Sequence, residues 1–230
     1  MRRVVDVAAA GLALTALAVP MALVAMVLRL TGEGRVLYRQ ERVGLGGRTF
    51  HVLKFTTMRE GSDPLDAPGY TVEGDPRVLP VGRLLRKAKI NELPQFVNVL
   101  KGDMTLVGWR PVSPRSFADY SPTIQRKLLQ ARPGVTGVGS LVFRDEEALV
   151  SRAQALGRAP GDCYLQDIKP YKGAVEAWYQ DHRSLLLDLR ILVATALSVA
   201  LPRRLDVRAW LPGLPPPRSG FVLDHMSGKS

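Results

Sequence analysis

Apolar positions run almost unbroken from residue 4 to residue 28, interrupted by Asp6, Gly11 and Thr15. At ~1.5 Å of rise per residue, a helix of that length reaches across a bilayer. Pro20 lies inside the stretch and divides it, because a mid-helix proline removes one backbone hydrogen bond and crowds the preceding turn; the helix is expected to bend there. The pattern then changes. Residues 36–43 and 49–55 read as two short strands joined by the glycine-rich turn "GLGGR" (residues 44–48), which predicts a hairpin. A Gly/Pro/Asp-rich loop covers residues 59–70, and residues 81–89 form a basic run of helical character. From there, Leu93, Phe96, Val97 and Leu100 fall on one helical stripe, with Gly102 as its stop. In that reading Asn91 is the N-cap and Pro94 a first-turn residue. "LVGWRP" and "RPGVTG" read as loops. Residues 144–157 and 171–182 read as helices, the second carrying Glu176 as an ordinary exposed acid. Residues 185–201, apolar but broken by Asp188 and Arg190, suit an amphipathic helix lying at an interface. Beyond residue 202 the chain is basic and proline-rich, which predicts a flexible tail.

Charge narrows the partners. Lys and Arg total 32 against 21 Asp and Glu, a formal charge of +11, which favours a polyanion, a phosphorylated substrate or an acidic membrane face. No reading helix, RNA motif or aromatic stacking series accompanies that charge, so no nucleic-acid partner is expected. The single cysteine, Cys163, excludes an internal disulfide and a cysteine cluster, and His51, His182 and His225 are too scattered to suggest a metal site. A signal peptide would explain the basic start Met1-Arg2-Arg3, but Asp6 falls where its apolar core should begin. Arg2 and Arg3 precede the apolar stretch and Arg29, Arg35, Arg39 and Arg42 follow it, so the positive-inside rule gives no orientation. A straight anchor is the simpler arrangement; a helix that bends at Pro20 and returns to the same face satisfies both basic ends.

The ordered series formed by the Pro-broken N-terminal helix, "YRQERVGLGGRTFHVLKFTTM", "DPRVLPVGRLLRK", "NELPQFVNVLKGDMTLVGWRP", "RPGVTG" and "SLLLDLRIL" resembles the bacterial sugar transferases known as monotopic phosphoglycosyl transferases, over roughly residues 1–200. The resemblance implies an α+β, mostly helical fold with a Pro-bent re-entrant membrane helix, a small β-hairpin and amphipathic interfacial helices. It implies three regions: the re-entrant helix (residues 1–30), a catalytic domain on the cytoplasmic side (31–201) and the tail (202–230). The implied reaction moves a phosphosugar from a nucleotide diphosphate sugar, usually a UDP-sugar, to undecaprenyl phosphate, releasing UMP, at the cytoplasmic face of the bacterial inner membrane. The step primes the synthesis of a surface polysaccharide or glycoconjugate. The oligomeric state stays open, a homodimer included.

The family's motif begins with a nucleophilic aspartate followed by a glutamate that helps hold Mg²⁺. Here these positions carry Asn91 and Glu92. Glu92 matches the metal-binding glutamate, but a neutral amide at 91 is a very poor nucleophile. Lys54, Arg86 and Arg110 fall on the family's basic positions near the diphosphate, Glu176 on an acid of its active site, and Pro20 on the bend of its re-entrant helix. "GWRP" departs from the family's "GPRP" but keeps the arginine. Asn91 leaves three readings open: an altered nucleophile that keeps ligand binding; a branch in which Glu92, another acid or the prenyl phosphate itself does the chemistry; and a catalytically silent membrane relative that binds nucleotide sugar or partner enzymes.

Overall fold

The structure, a computed structural model, describes residues 2–31, 34–61, 74–201 and 206–217. It is mostly helical, with a two-stranded antiparallel hairpin and a two-stranded parallel pair. The N-terminal apolar stretch forms two helices, α1 (Arg2–Ala16) and α2 (Ala18–Thr31), bent by 61° to one another. The break falls at Leu17 rather than at Pro20 itself, because Pro20 offers no N–H to the Ala16 carbonyl and its ring crowds that turn. The bonds on either side survive, from Leu17 N–H to Ala13 O (2.9 Å) and from Met21 N–H to Leu17 O (2.8 Å). Among the described residues no single helix is long and apolar enough to cross a membrane; α1 and α2 reach that length only as a bent pair.

Strands β1 (Leu37–Val43) and β2 (Thr49–Phe55) pair antiparallel, with Leu37 opposite Phe55 and Val43 opposite Thr49. Gly46 (φ 66°) and Gly47 (φ 83°) take the left-handed turn conformation that side-chain-bearing residues resist. Helix α3 (Pro80–Lys87) leads to a 3₁₀ turn (Ile90–Glu92) and then α4 (Gln95–Lys101), which ends at Gly102 in the left-handed region, as expected. Buried Asn98 fastens α4 to the strand: its Oδ1 accepts from Leu53 N (2.9 Å) and its Nδ2 donates to His51 O (2.8 Å). Phe50, Val52 and Lys54 share one face of β2 by strand alternation; Val52 enters the main core and Lys54 reaches the cleft described below.

The two segments read as loops contain a parallel strand pair. β3 (Thr105–Val107) is followed by α5 (Pro114–Ala118) and α6 (Pro122–Leu129), and then by β4 (Gly134–Thr136), which lies alongside β3. Glycines permit the approach: a Cβ on Gly134 would lie 2.1 Å from Gly108 N, and one on Gly137 would lie 1.9 Å from Gly108 O. After α7 (Val138–Val142), α8 (Glu146–Ala155) and the one-turn α9 (Pro160–Asp162), a π-helical turn (Cys163–Ile168) runs into α10 (Lys169–His182) and then α11 (Leu185–Ala200). The main core gathers Val99, Met104, Val138, Val175, Tyr179 and Ile191 from these elements.

Part of the expected flexible tail is packed. In residues 206–217, α12 (Val207–Trp210) is followed by Leu211 and Leu214, both buried in the main core. The Trp210 indole donates to Arg190 O (3.0 Å) and the Tyr171 hydroxyl to Pro215 O (3.0 Å). Apolar side chains spaced through a proline-rich segment therefore outweigh its composition. The remainder of that tail (202–205 and 218–230, with His225) and most of the expected loop (62–70) lie outside the described residues.

Candidate active site

Lys54, Arg86, Asn91, Glu92, Arg110 and Glu176 all line one cleft of about 2250 Å³, so the structure brings together every side chain assigned to the site from sequence. Pro20 is remote in role and belongs to the helix pair. The turn that carries Asn91 and Glu92 is tight. Lys89 enters it at φ 59°, the one non-glycine residue with positive φ among those described. Asn91 is not a helix cap: it lies inside the 3₁₀ turn, and Pro94 occupies the start of α4 without a side-chain cap. Asn91 is 7 % exposed and its Oδ1 has no hydrogen-bond partner. An orphaned buried acceptor costs roughly 1–3 kcal/mol, which a purely structural role for this amide does not explain.

Glu92 is the electrostatic centre. Its Oε1 accepts from the Arg110 guanidinium at 2.9 Å. Burial alone would push this carboxyl up, but Arg110, Lys54 and Lys89 outweigh burial and hold it at about 2. Glu92 in return pushes Arg110 further above its ordinary range. Burial is also the largest influence on Lys54 and brings it down to about 7, helped by Arg110, Arg42 and Arg86 and opposed by Glu92. Arg86 is ion-paired with Glu147 across the cleft, and Lys172 with Glu146.

Glu176, which the helical pattern alone made an exposed acid, is 3 % exposed. Its Oε1 accepts the Arg110 backbone N–H at 2.9 Å, while Oε2 has no partner. Burial raises this carboxyl to about 7, against the backbone bonds from Arg110 and Gly139 and the nearby Lys172 and Arg110 charges. Gly139 makes room for it, since a Cβ there would sit 2.3 Å from Oε1. The Trp109 of "GWRP" stays out of the cleft: it is fully buried behind it, donates to Ala131 O (2.9 Å) and packs against Phe117. Four participants escaped the sequence reading. The backbone of Lys89, the clearance at Gly139 and the partners Glu146 and Glu147 depend on contacts between distant segments, and no local spacing marks them.

A cleft with ionised Glu92 and the basic side chains of Lys54, Arg86, Lys89 and Arg110, faced by the acids of α8 and α10, is built to hold and orient phosphate oxygens. The family model for bacterial sugar transferases matches residues 1–202, and the chain belongs to that family. It is 47 % identical over 201 residues to the UDP-glucose:undecaprenyl-phosphate glucose-1-phosphate transferase of Caulobacter vibrioides, covering 86 % of this chain and 69 % of that one. It is 40 % identical over 159 residues to the undecaprenyl-phosphate glucose phosphotransferase of Komagataeibacter xylinus, covering 63 % of this chain but 30 % of the relative. It is 32 % identical over 216 residues to the exopolysaccharide production protein ExoY of Sinorhizobium fredii, covering 88 % and 86 %.

Proposed function

We propose that this chain transfers a sugar phosphate from a UDP-sugar to undecaprenyl phosphate and releases UMP, as the first step in building a surface polysaccharide. The observation that carries the reading is the ionised Glu92, braced by Arg110 inside a basic cleft. The names of the Caulobacter and Komagataeibacter relatives point to the same acceptor lipid. Lys54, Arg86 and Arg110 hold the diphosphate by charge and direction. Asn91 offers an amide oxygen rather than a nucleophile, so the attacking atom is a phosphate oxygen of the lipid. It bonds to the β-phosphorus, the bond from that phosphorus to the bridging oxygen breaks, and UMP leaves with the electron pair.

The donor set fits Mg²⁺. Among the described residues no group of three His, Cys, Asp or Glu side chains could hold a metal. Magnesium does not need one, since it binds through one or two carboxylates together with substrate phosphates and water. Glu92 has one oxygen beyond its Arg110 bond, and Asn91 has an unpartnered Oδ1 beside it in sequence. Bound there, the ion would neutralise charge on the diphosphate.

Residues 1–30 serve as a re-entrant membrane element on the cytoplasmic face of the inner membrane, and residues 31–201 as the catalytic body. The bend supports this, and so do exposed Val4, Leu12, Val19, Leu23 and Leu30 along both helices. At one end Arg2 pairs with Asp188 of α11 (3.4 Å). At the other, Leu28 is buried against Phe55 and Leu85. Both ends thus meet the same body, which supports a pair that returns to one face. Cysteines at positions 2 and 35 should both be labelled from the cytoplasmic side; labelling from opposite sides would remove the re-entrant reading.

The neutral amide at 91 favours one alternative, a silent relative that binds nucleotide sugar without turnover. Full-length protein in lipid, given Mg²⁺, undecaprenyl phosphate and a panel of UDP-sugars, is expected to release UMP only when lipid and sugar nucleotide are both present. Binding of a UDP-sugar with no UMP release across the panel would establish the silent relative instead.

A further inference from the structure

Asp6 is the one acid in α1, set among apolar residues after Arg2 and Arg3, a placement that is costly in a membrane and calls for a specific partner. It is 9 % exposed and both its oxygens are engaged. Oδ2 accepts from the Thr105 hydroxyl (2.6 Å) and Oδ1 from Leu106 N (3.1 Å). Thr105 N–H points toward β4, where it bonds Pro133 O (2.9 Å), so Leu106 N–H points to the other edge of β3, and Asp6 covers it. One turn earlier, Arg3 donates to Val99 O (2.6 Å) and Leu100 O (3.1 Å), carbonyls in the last turn of α4. A cation there also suits the negative end of the helix.

These contacts converge on the turn between α4 and β3. The chain entering α4 carries Glu92, and the chain leaving β3 carries Arg110, the two partners of the central ion pair. Asn98 fixes the middle of α4 to β2 beside Lys54. Glu92 and Arg110 therefore sit at the two arms of a helix–turn–strand hairpin whose closed end is gripped by α1. We propose that Asp6 and Arg3 are positioning residues for the transfer reaction: by holding the α4–β3 turn they set Glu92 against Arg110, so that the seating of the apolar helix pair is transmitted to the cleft. The catalytic part of this proposal rests on the transferase reading; the mechanical part does not.

The full chain in lipid tests it through a double-mutant cycle of Asp6→Ala with Arg110→Lys. Asp6→Ala is expected to lower kcat for UMP release about 10-fold, with KM for the UDP-sugar changed less than about 2-fold, the size of loss that a small misplacement of reacting groups produces. Residues that act independently multiply their losses. If Asp6 acts through the Glu92–Arg110 alignment, the double variant is expected to be within about 2-fold of Arg110→Lys alone; a fully multiplicative loss in kcat would overturn the proposal. Hydrogen exchange gives a readout that needs no turnover. Asp6→Ala should speed exchange at residues 90–93 as well as at 99–106, with β1–β2 unchanged, and faster exchange confined to 99–106 would overturn the coupling. Absence of UMP release from the unmodified chain would remove the transferase reading but leave this exchange result to decide the mechanical proposal. Should Asp6→Ala fail to fold, Thr105→Val removes one of the two bonds and is expected to give a smaller change in the same direction in both readouts.

Discussion

Asn91→Asp is expected to form a covalent phosphosugar-enzyme from UDP-sugar and Mg²⁺ before any prenyl phosphate is added, where the unmodified chain forms none. The two side chains are nearly the same size, so a residue packed to 7 % exposure tolerates the change, and what enters is one negative charge. The site is prepared for that charge. The neighbouring cations that keep Glu92 ionised at about 2, Arg110, Lys54 and Lys89, surround the same short turn. An oxygen of the ionised carboxylate introduced at position 91 would bond to the β-phosphorus as the bond to the bridging oxygen breaks and UMP leaves; the lipid phosphate would then displace that carboxylate. Intact-mass measurement should show the added sugar phosphate on Asn91→Asp at close to one per chain. Adding Glu92→Gln, or removing the metal with EDTA, should abolish the adduct, because the substitution removes the negative charge that holds the hard cation. An adduct on the unmodified chain at a residue other than 91 would overturn direct attack by the lipid and assign the chemistry to another acid.

Glu176→Gln should make the protein more stable, and only at higher pH. Burial raises the Glu176 carboxyl from its ordinary 4.5 to about 7 in the folded chain. Between those values the folded state keeps the proton and the unfolded state loses it, so stability falls as pH rises through that window and the deficit is complete above about 7. Converted at about 1.4 kcal/mol per pH unit, the deficit is on the order of 3 kcal/mol. Glutamine keeps an acceptor for the Arg110 backbone N–H and never ionises, so it avoids the deficit. Melting curves of both proteins in one lipid should nearly coincide at pH 4.5 and separate by several degrees at pH 8. An equal separation at both values would show that the carboxyl is not held neutral by its surroundings. Retaining an acid that destabilises the fold is the behaviour expected of a functional group rather than a structural one.

Where the local pattern was strong, the chain was legible. The hairpin is readable to within a residue at one end from its glycine-rich turn, and α3, α8, α10 and α11 are readable within a few residues as runs between Gly and Pro punctuation. The β3–β4 pair was not, since three-residue strands locked by Gly108, Gly134 and Gly137 carry no alternation to read and resemble turns. Asn91 looked like a cap because capping chemistry and a 3₁₀ turn favour the same residue types; the difference lies in the Lys89 backbone, which sequence spacing does not encode. Glu176 shows the same limit. Its burial comes from Gly139 and the Arg110 backbone, both brought from elsewhere in the chain. The residue types of the site were legible through the resemblance, whereas their ionisation depended on which charges the fold set side by side.

The Asn98 bridge to β2 has a meaning beyond fastening a helix. A hairpin whose strands slip by one residue turns every side chain to the opposite face, which would exchange Lys54 for Leu53 at the cleft and remove a cation from beside Glu92. Asn98 grips the Leu53 N–H and the His51 carbonyl with the two ends of one amide, and a strand presents that pair on a given edge only at every second residue, so a one-residue slip turns it away. The side chain thus proofreads the hairpin against a one-residue slip: a strand misaligned by one finds no matching bonds on α4, and the bonded state keeps the lysine facing the cleft.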